Sequence, residues 1–537
     1  MTYDYIVIGG GSAGSAVTGR LIEAGASVLL LEAGPRDRNP LVHIPAGFTR
    51  LLSTDLLYHY ETEPQTGLDS RPRIVPQGRV LGGGSSVNAL IYIRGQQEDY
   101  DEWARLGNSG WSYDEVLPYF KRAEDNERLD DRYHGVGGPL GVSDLSQRCE
   151  LSTAFVRAAQ QAGIPFTHDF NGVRQNGVGF NQITTRDKRR CSAAVAYLRN
   201  AEASGRLTIR TGVRVDRILI EAGRAIGVEY VSNGQVVREK GCKEVILSAG
   251  ALQSPRLLLL SGIGATEELA RHGIEAVQDL PGVGANLQDH IEFPAVSYCT
   301  GNYGYYGQDS FTNTLKNGLQ YLLFKSGPVT SNVTEACAFV NVDAPQERPN
   351  IQMHFVPIVF LDLDQDHVKS AGATINPCVL RPQSRGEIRL RSADPGAALW
   401  IDPKYFQHAE DRRVAVAGLK KAREILAQPA LRTYTSEEAL PGAGVATDAA
   451  LMDYIRKRAK TVYHPVGTCR MGVDGHAVVD PELRVRGIDG LRVIDASIMP
   501  NLVSGNTNAA SIMIGEKGAD YVLGKTALSG AALDAVV

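Results

Sequence analysis

A histidine and two amides near the end of the chain have the types and setting that chemistry requires. His464 is followed by Pro465, which favours an extended backbone at the histidine and so places it outside a regular helix. An imidazole exchanges protons near neutral pH, so His464 is a candidate acid–base group, and a purely structural histidine is the alternative. Asn506 and Asn508 stand where we expect a helix to begin, near Ala509. They could form an anion site or merely cap that helix.

The beginning of the chain predicts an element that would hold a nucleotide. Residues 5–8 are apolar as in a buried strand, residues 9–14 (GGGSAG) predict a tight turn that opens a helix, and residues 27–31 predict a second strand ending at Glu32. This order is that of a dinucleotide-binding βαβ unit. The helix N-terminus would face phosphates and Glu32 would hold ribose hydroxyls, whereas a plain structural turn is the alternative.

Two glycine-rich loops would allow the backbone to approach such a ligand. In the first, Gly9 permits the turn, Gly11 lets the backbone approach a pyrophosphate, and Gly14 lets the helix lie close to the strand. In the second, residues 82–89 (GGGSSVNA), successive glycines and serines can press against a flat or phosphorylated ligand. A flexible linker is the alternative for this second loop.

A third junction of strand, glycine and helix follows at residues 244–256. A buried strand is expected to end near Ala249 and Gly250, with Ser254 as the N-cap of a helix and Pro255 in its first turn. The junction could adjoin the same ligand or could be an ordinary helix cap.

Composition and charge exclude several classes of protein. Apolar residues make up 43% and charged residues 22% of the chain, as in soluble globular proteins, and the net charge of −4 does not indicate a nucleic-acid partner. The apolar runs are too short to span a bilayer, and a first strand at Tyr5 leaves no room for a signal peptide. We therefore expect a cytoplasmic protein, with or without peripheral membrane contact. Seven scattered cysteines without a CxxC pair predict neither a disulfide framework nor a metal site.

Five segments together resemble the glucose–methanol–choline (GMC) oxidoreductase family. The resemblance extends from Tyr3 to Leu523, and it implies oxidation of an alcohol to an aldehyde or ketone by FAD. The electrons would pass to an acceptor other than NAD, namely oxygen, a quinone or a redox carrier. The segments are residues 9–14 with Glu32, 78–95, 250–264 (GALQSPRLLLLSGIG), 280–290 (LPGVGANLQDH) and 464–513.

The resemblance also implies roles for individual residues. His464 matches the active-site histidine that accepts the hydroxyl proton while hydride passes to flavin N5, and Asn506 matches its partner, which would hold the substrate oxygen. Val87 stands where some relatives carry a histidine bound covalently to FAD, so non-covalent FAD is expected. The implied FAD-binding residues are Gly9, Gly11, Ser12, Ala13, Gly14, Glu32, Ala33, Arg79, Gly83, Gly84, Ser85, Asn88, Ala89, Val215, Ala249, Gly250, Asp495, Ala496, Asn506 and Thr507.

The chain of 537 residues is too long for one ordinary core, so two domains are expected. By the resemblance, residues 1–145, 192–299 and 460–537 would form a discontinuous FAD-binding domain, and residues 146–191 and 300–459 a substrate-binding domain. The fold class expected is α/β with mixed α+β character: a Rossmann-like FAD-binding domain interleaved with a domain built on an antiparallel sheet with helices.

The substrate is less closely defined. Three segments, residues 189–198, 327–333 and 384–386, look most like bacterial members of the family that act on sugars, polyols or polyether alcohols, such as L-sorbose and polyethylene glycol dehydrogenases. Tyr463, Glu335 and His354 are the candidate substrate contacts. Tyr463 and Glu335 could imitate the aromatic and acidic groups that hold a quaternary ammonium, which makes choline the alternative substrate.

The sequence leaves two rival classes of protein open, together with the oligomeric state and the role of one loop. Hydroxynitrile lyases of the family keep FAD without net redox chemistry, so a lyase is one rival. A nicotinamide enzyme or plain nucleotide-binding module is the other, but it would leave residues 78–95 unexplained. The protein could be a monomer or a homodimer, and the tyrosines of residues 303–306 could form a lid over the pocket or a surface loop.

Overall fold

A computed structural model describes residues 3–361, 368, 370–526 and 528. Its first structural unit is a parallel sheet of five strands. Tyr5 pairs with Val28 on one side and with Glu244 on the other, so the predicted first and second strands are neighbours at the centre. In order across the sheet the strands are Leu207–Thr211, Val28–Glu32, Tyr5–Ile8, Glu244–Leu247 and Leu491–Val493.

The three central strands of this parallel sheet are almost wholly apolar and buried, as expected for a parallel sheet that is covered on its faces. Helix Ser12–Glu23 follows the first strand and packs against helix Asn508–Val522. Because the strands are parallel, their carboxyl ends lie at one edge. That edge therefore brings together the glycine-rich turn, which follows Ile8, and three residues from other strand ends: Glu32, Ala249 and Asp495.

The second structural unit is an eight-stranded antiparallel sheet. Helices Ala409–Leu426 and Glu150–Gln161 pack against it. Its main strands, in order, are Thr435–Leu440, Ala295–Cys299, Gly372–Val379, Ile351–Val356, Ala336–Val340 and Gly177–Phe180, with Ile291–Glu292 and Lys460–Thr461 at one end.

Strand Ala295–Cys299 differs from the expected segment boundaries. The resemblance places residues 192–299 in the FAD-binding domain, but Ala295 pairs with Ile375 in the antiparallel sheet. The short strand Lys460–Thr461, at the start of the expected third segment, pairs with Ile291–Glu292 in the same sheet. The chain thus crosses between the two units within these strands, which brings residues 289–292 and 460–464 to the boundary between them.

The remaining longer helices and strands connect or flank the two sheets. Among the described residues, no helix is long and apolar enough to cross a membrane. The helices are Gln97–Arg105, Tyr113–Ala123, Gly250–Leu260, Phe311–Phe324 and Asp448–Arg458, and a separate antiparallel meander comprises Arg214–Glu221, Arg224–Ser232 and Gln235–Lys240.

Helix Gly250–Leu260 begins earlier than expected. Pro255 lies inside it rather than in its first turn, and Ser254 is not its N-cap. A proline has no N–H to donate to the carbonyl four residues before it. That carbonyl, Ala251 O, instead accepts a hydrogen bond of 2.6 Å from Thr468 Oγ1, which satisfies the backbone where the sequence rule expected a helix boundary.

Candidate active site

A cavity of about 620 Å³ extends from the edge of the parallel sheet to the antiparallel sheet. It contains most of the predicted site residues, from the glycine-rich turn at one end to His464 and His354 at the other. Those that line it are Gly9, Gly11, Ser12, Ala13, Glu32, Ala33, Arg79, Gly83, Gly84, Val87, Asn88, Ala89, Val215, Ala249, Gly250, His354, Tyr463, His464, Asp495, Ala496, Asn506 and Thr507.

The glycine-rich turn is shaped by close backbone contacts. Gly9 has φ of +98°, and a Cβ there would lie 2.4 Å from Ser248 O. A Cβ on Gly14 would lie 1.9 Å from Gly9 O, so helix Ser12–Glu23 can start this close to the strand only with glycine. A Cβ on Gly11 would have no neighbour within 4 Å, so this backbone faces open space. The turn therefore leaves a concave site at a helix N-terminus.

Glu32 is a buried carboxyl at this end of the cavity. Its Oε2 accepts from Gly10 N at 2.9 Å and its Oε1 from Gly34 N at 2.7 Å. Burial raises its pKa to about 7, against the lowering effect of these backbone donors. Each carboxylate oxygen has further acceptor capacity, so Glu32 can still receive hydroxyl groups of a ligand.

Asp495 lies where the ends of two elements meet at the cavity. Its Oδ2 accepts from Gly250 N at 2.9 Å and from Ser254 Oγ at 2.5 Å, and its Oδ1 accepts from Ser497 N at 2.8 Å. Burial raises its pKa. Asp495 therefore holds the start of helix Gly250–Leu260 in place, besides lining the cavity.

A chain of hydrogen bonds fixes the protonation of His464. His290 Nε2 lies 3.0 Å from Leu380 O, which can only accept, so this nitrogen carries the hydrogen. A neutral His290 must then accept at Nδ1, which lies 3.0 Å from His464 Nδ1. His464 therefore donates from Nδ1, and its Nε2 carries no hydrogen and keeps its lone pair. This nitrogen is the one that can take up a proton.

Both imidazoles are held neutral. Burial lowers the pKa of His290 to about 4. Burial, followed by repulsion from His290 and His354, lowers the pKa of His464 well below its usual value. His464 is thus unprotonated at neutral pH and is available to accept a proton.

The backbone of His464 is held by Asp289. Asp289 Oδ1 accepts from His464 N at 2.8 Å, and Oδ2 accepts from the hydroxyls of Thr461 and Tyr405, each at 2.5 Å. Burial raises the pKa of Asp289 to about 6. The adjacent Asp289 and His290 thus position the backbone and the ring of His464, respectively.

Asn506 completes the pair that the sequence suggested. Its Nδ2 lies 3.5 Å from His464 Nε2, and its Oδ1 accepts from Gln352 Nε2 at 3.2 Å. The bond from Gln352 fixes the orientation of the amide, so that its N–H groups face the histidine. A hydroxyl oxygen placed beside both nitrogen atoms would meet one acceptor, His464 Nε2, and one donor, Asn506 Nδ2.

The antiparallel sheet contributes a polar wall to the cavity. His354 and Asn376 are cross-strand partners, and both line the cavity. Glu292 pairs with Lys460 Nζ at 3.1 Å and with His354 Nδ1 at 3.0 Å. Among the described residues, His354 Nε2 and both amide atoms of Asn376 are buried without a hydrogen-bond partner. Such atoms are costly to bury alone, so they can receive a polar ligand.

Three predicted site residues do not line the cavity. Gly14 acts through helix packing, as the sequence suggested. Ser85 Oγ donates to Gly82 O at 2.6 Å and accepts from Ala193 N at 2.9 Å, so it stabilises the second glycine-rich loop from within. Glu335 is fully buried, and its carboxylate accepts from Cys149 N, Ser331 Oγ and the hydroxyl of Tyr305.

Residues 303–306, for which the sequence left a lid and a surface loop as alternatives, do not line the cavity. Tyr305 lies against Glu335, and Tyr303 packs edge-on against Tyr434 with ring centroids 4.9 Å apart. Neither tyrosine belongs to the cavity lining. These side chains instead tie the segment to the antiparallel sheet.

Several residues of the candidate site carry no role in the sequence interpretation. His290 and Asp289 lie in the segment LPGVGANLQDH, which carries part of the family resemblance but does not by itself mark them. Asn376 and Lys460 lie in strands whose patterns carry no motif, so no local signal marks them. They reach the cavity because the antiparallel sheet places their strands there.

Comparison with known proteins agrees with this geometry. Two family models, both described as GMC oxidoreductase, match residues 3–292 and 382–515. An alcohol dehydrogenase [acceptor] of Pseudomonas putida is 43% identical over 541 residues, covering 100% of this chain and 98% of the relative. The mitochondrial choline dehydrogenase of Homo sapiens is 42% identical over 540 residues, covering 98% of this chain and 90% of the relative.

The fold is likewise that of a solved structure. Pyridoxine 4-oxidase from Mesorbium loti superposes with a TM-score of 0.90 at 32% identity, covering 98% of this chain and 100% of the other. The matches span both the glycine-rich edge and the histidine segment from which the cavity is built. The chain therefore belongs to the GMC oxidoreductase family.

Proposed function

We propose that this protein oxidises an alcohol to an aldehyde or ketone with FAD, using His464 as the proton acceptor. The observation that carries the proposal is the unprotonated Nε2 of His464, 3.5 Å from Asn506 Nδ2, in the same cavity as the glycine-rich turn and Glu32. A hydroxyl group needs both a base and a donor to its oxygen when proton and hydride leave together.

The residues of the parallel-sheet edge fit FAD. The turn at Gly9–Gly14 would receive the pyrophosphate, and Glu32 the adenosine ribose. Residues 83–89 and the start of helix Asn508–Val522 would border the flavin ring. Val87 lines the cavity and offers no nucleophile, so the cofactor would be held non-covalently. When bound, FAD supplies the hydride acceptor.

The chain's own groups divide the remaining work. His464 Nε2 takes the hydroxyl proton, and the resulting imidazolium keeps its hydrogen bond from Nδ1 to His290. Asn506 donates to the substrate oxygen and holds it in line. Asp289 prevents the histidine backbone from shifting. Donor and acceptor must lie within about 3–3.5 Å of the reacting atoms, which explains why separate anchors hold each side chain.

The polar wall supports a substrate that carries more than one oxygen atom. His354 Nε2 and the amide of Asn376 can hydrogen-bond a second oxygen of the substrate, at a distance from the hydroxyl that His464 deprotonates. Leaving these atoms unpaired would cost the complex about 1–3 kcal/mol each. A polyol, sugar or ether alcohol fits this wall better than an alcohol with one oxygen.

Choline fits the same wall less well. A quaternary ammonium needs an accessible aromatic face or a free carboxylate. The ring of Phe360 is already covered by Lys460 Nζ at 3.8 Å from its centroid, and Glu292 is paired with Lys460 and His354. The ammonium of Lys460 would also repel a second cation.

The test is anaerobic mixing of the purified holoenzyme with a panel of a primary alcohol, a polyol, a sugar, a polyether glycol and choline. Loss of the oxidised-flavin absorbance is expected with the polyol, sugar or glycol. Readmission of air, or addition of a quinone, then identifies the electron acceptor. Absorbance that persists with every alcohol would favour the lyase alternative.

A further inference from the structure

Helix Phe311–Phe324 has an unusual distribution of apolar side chains. A surface helix of a globular protein normally turns its apolar stripe toward the core. Here six large apolar residues are each more than half exposed, and most lie on one side of the helix. We call this set the outer face: Phe311, Leu315, Leu319, Leu322, Leu323 and Phe324.

Three polar side chains of the same helix face the protein. Asn313 Nδ2 donates to Gly307 O at 2.9 Å, Asn317 Nδ2 to Gln308 Oε1 at 2.9 Å, and the Tyr321 hydroxyl to Lys188 O at 3.0 Å. These bonds fix the rotation of the helix, so the outer face cannot turn inward without breaking them. The hydrogen bonds thus hold an apolar surface in an exposed position, and such surfaces mark interaction sites.

Basic residues surround the outer face. Lys316 lies on the helix itself, and Lys325 ends it with its Nζ 4.6 Å from the ring centroid of Tyr321. Arg50 donates to Thr314 Oγ1 at 3.0 Å. Burial raises the pKa of Tyr321, and the positive charge of the nearby Arg189 acts in the opposite direction.

The charge balance of this rim is positive. Helix Phe311–Phe324 contains no acidic residue. Asp309 lies just before the helix in sequence, and Asp187 precedes Lys188, whose carbonyl accepts from Tyr321. Against these stand Arg50, Lys188, Arg189, Lys316 and Lys325.

We propose that the outer face docks on an anionic lipid bilayer. An amphipathic helix with apolar residues on one side and cations at its border lies in the headgroup plane and gains from both apolar burial and attraction to anionic lipids. A helix of 14 residues is too short to span the bilayer and suits this orientation.

A second copy of the chain is the competing occupant of the outer face. In a two-fold symmetric contact each surface would meet itself, so the basic rims would oppose each other. Anionic headgroups neutralise the same rim, which is why the lipid surface is favoured. The inference does not depend on the proposed alcohol or acceptor.

Vesicle flotation of the holoenzyme tests this. Wild type is expected to float with vesicles of phosphatidylcholine and phosphatidylglycerol, and less with phosphatidylcholine alone. The variant Leu315→Gln/Leu319→Gln/Leu322→Gln is expected to lose about tenfold or more in apparent affinity. The matched control Leu106→Gln/Val236→Gln/Val473→Gln, at exposed apolar residues elsewhere, should float as wild type. Lys316→Gln/Lys325→Gln should weaken binding and its salt dependence.

The outcomes separate lipid docking from the other occupant and from the proposed activity. Flavin content and alcohol oxidation with a soluble dye should be unchanged in all these variants, because none lies in the cavity. Failure of the wild type to float, or flotation of the leucine variant equal to wild type, would overturn the proposal. So would a wild-type dimer that ignores vesicles and becomes a monomer in the leucine variant, which would assign the surface to a second copy.

Discussion

At the scale of single residues, the proposed active site depends on a series of hydrogen bonds that begins at a backbone carbonyl. Leu380 O sets the tautomer of His290, and His290 sets that of His464. A sequence motif singles out His464, but only the structure shows which of its ring nitrogens carries no hydrogen. The base is therefore defined by three residues that are distant in sequence.

Replacement of His290 tests this series of hydrogen bonds. In His290→Leu, the Nδ1–H of His464 loses its acceptor and the histidine can adopt the other tautomer, so we expect the rate of flavin reduction to fall about tenfold to a hundredfold. The measurement is anaerobic stopped-flow reduction at saturating alcohol, with the flavin content of each variant determined in parallel. His290→Asn retains an acceptor and should recover part of the rate. Equal rates in wild type and His290→Leu, or a loss of flavin in place of a loss of rate, would contradict the positioning role.

Asn376 tests the inferred substrate class. Asn376→Leu removes both amide atoms from the wall while roughly keeping the side-chain volume. We expect kcat/KM to fall about five- to thirtyfold for propane-1,2-diol and little for 1-propanol, since the lost hydrogen bonds serve the second oxygen. The paired alcohols serve as the internal control. An equal fall for both would place Asn376 in a role unrelated to the second oxygen.

At the scale of elements, the positions of helix starts decide where the cofactor-facing groups lie. The strand, turn and helix of the first βαβ unit could be predicted because their glycine spacing and apolar runs are local features. The start of helix Gly250–Leu260 could not, because the carbonyl left without a donor by Pro255 is satisfied by Thr468, more than two hundred residues away. Sequence rules for caps see only neighbouring residues.

A double-mutant cycle tests this long-range replacement of a helix hydrogen bond. Thr468→Val should destabilise the protein by about 1–2 kcal/mol, because Ala251 O becomes a buried acceptor without a donor. In the Pro255→Ala background the alanine N–H can reach Ala251 O, so the same substitution should cost less. The measurement is the free energy of unfolding in urea for the four proteins. Identical costs in both backgrounds would show that Thr468 acts on something other than this carbonyl.

At the scale of the whole molecule, the proposed active site depends on the contact between the two sheet-based units. Arg348 extends from the antiparallel-sheet unit and forms a salt bridge with Asp99, and it donates to Ser504 Oγ at 3.3 Å. Asp99 Oδ2 also accepts from Ser504 N at 2.7 Å. The pair therefore ties the segment just before Asn506 to both units.

Loss of this tie should weaken the whole fold. Arg348→Leu leaves the buried Asp99 uncompensated, and we expect a decrease of about 2–4 kcal/mol in the free energy of unfolding, measured in urea with flavin bound. Arg348→Leu/Asp99→Asn removes the unpaired charge and should recover most of the loss. A single variant as stable as wild type, or a double variant no better than the single one, would show that the pair does not hold the units together.

The whole molecule also shows how far sequence alone could lead. The family resemblance and the α/β fold class are confirmed by the family match and the sheet topology. The polar wall of Asn376 and His354 could not be assembled from the sequence, because its residues come from strands joined only by sheet pairing. Glu335 had the residue type of a ligand for an ammonium group, but hydrogen bonds within the protein occupy it.

We propose that His464 is the proton acceptor in alcohol oxidation by FAD, and the other roles in the cavity depend on this one. The most direct measurement is anaerobic stopped-flow absorbance of wild type and His464→Ala, mixed with the polyol, sugar or glycol that reduces the wild type fastest. We predict that both proteins carry flavin and that reduction is slower in the variant by about a hundredfold or more, the usual contribution of acid–base catalysis. Reduction of the variant at the wild-type rate, or a wild-type flavin that stays oxidised with every alcohol, would contradict the account.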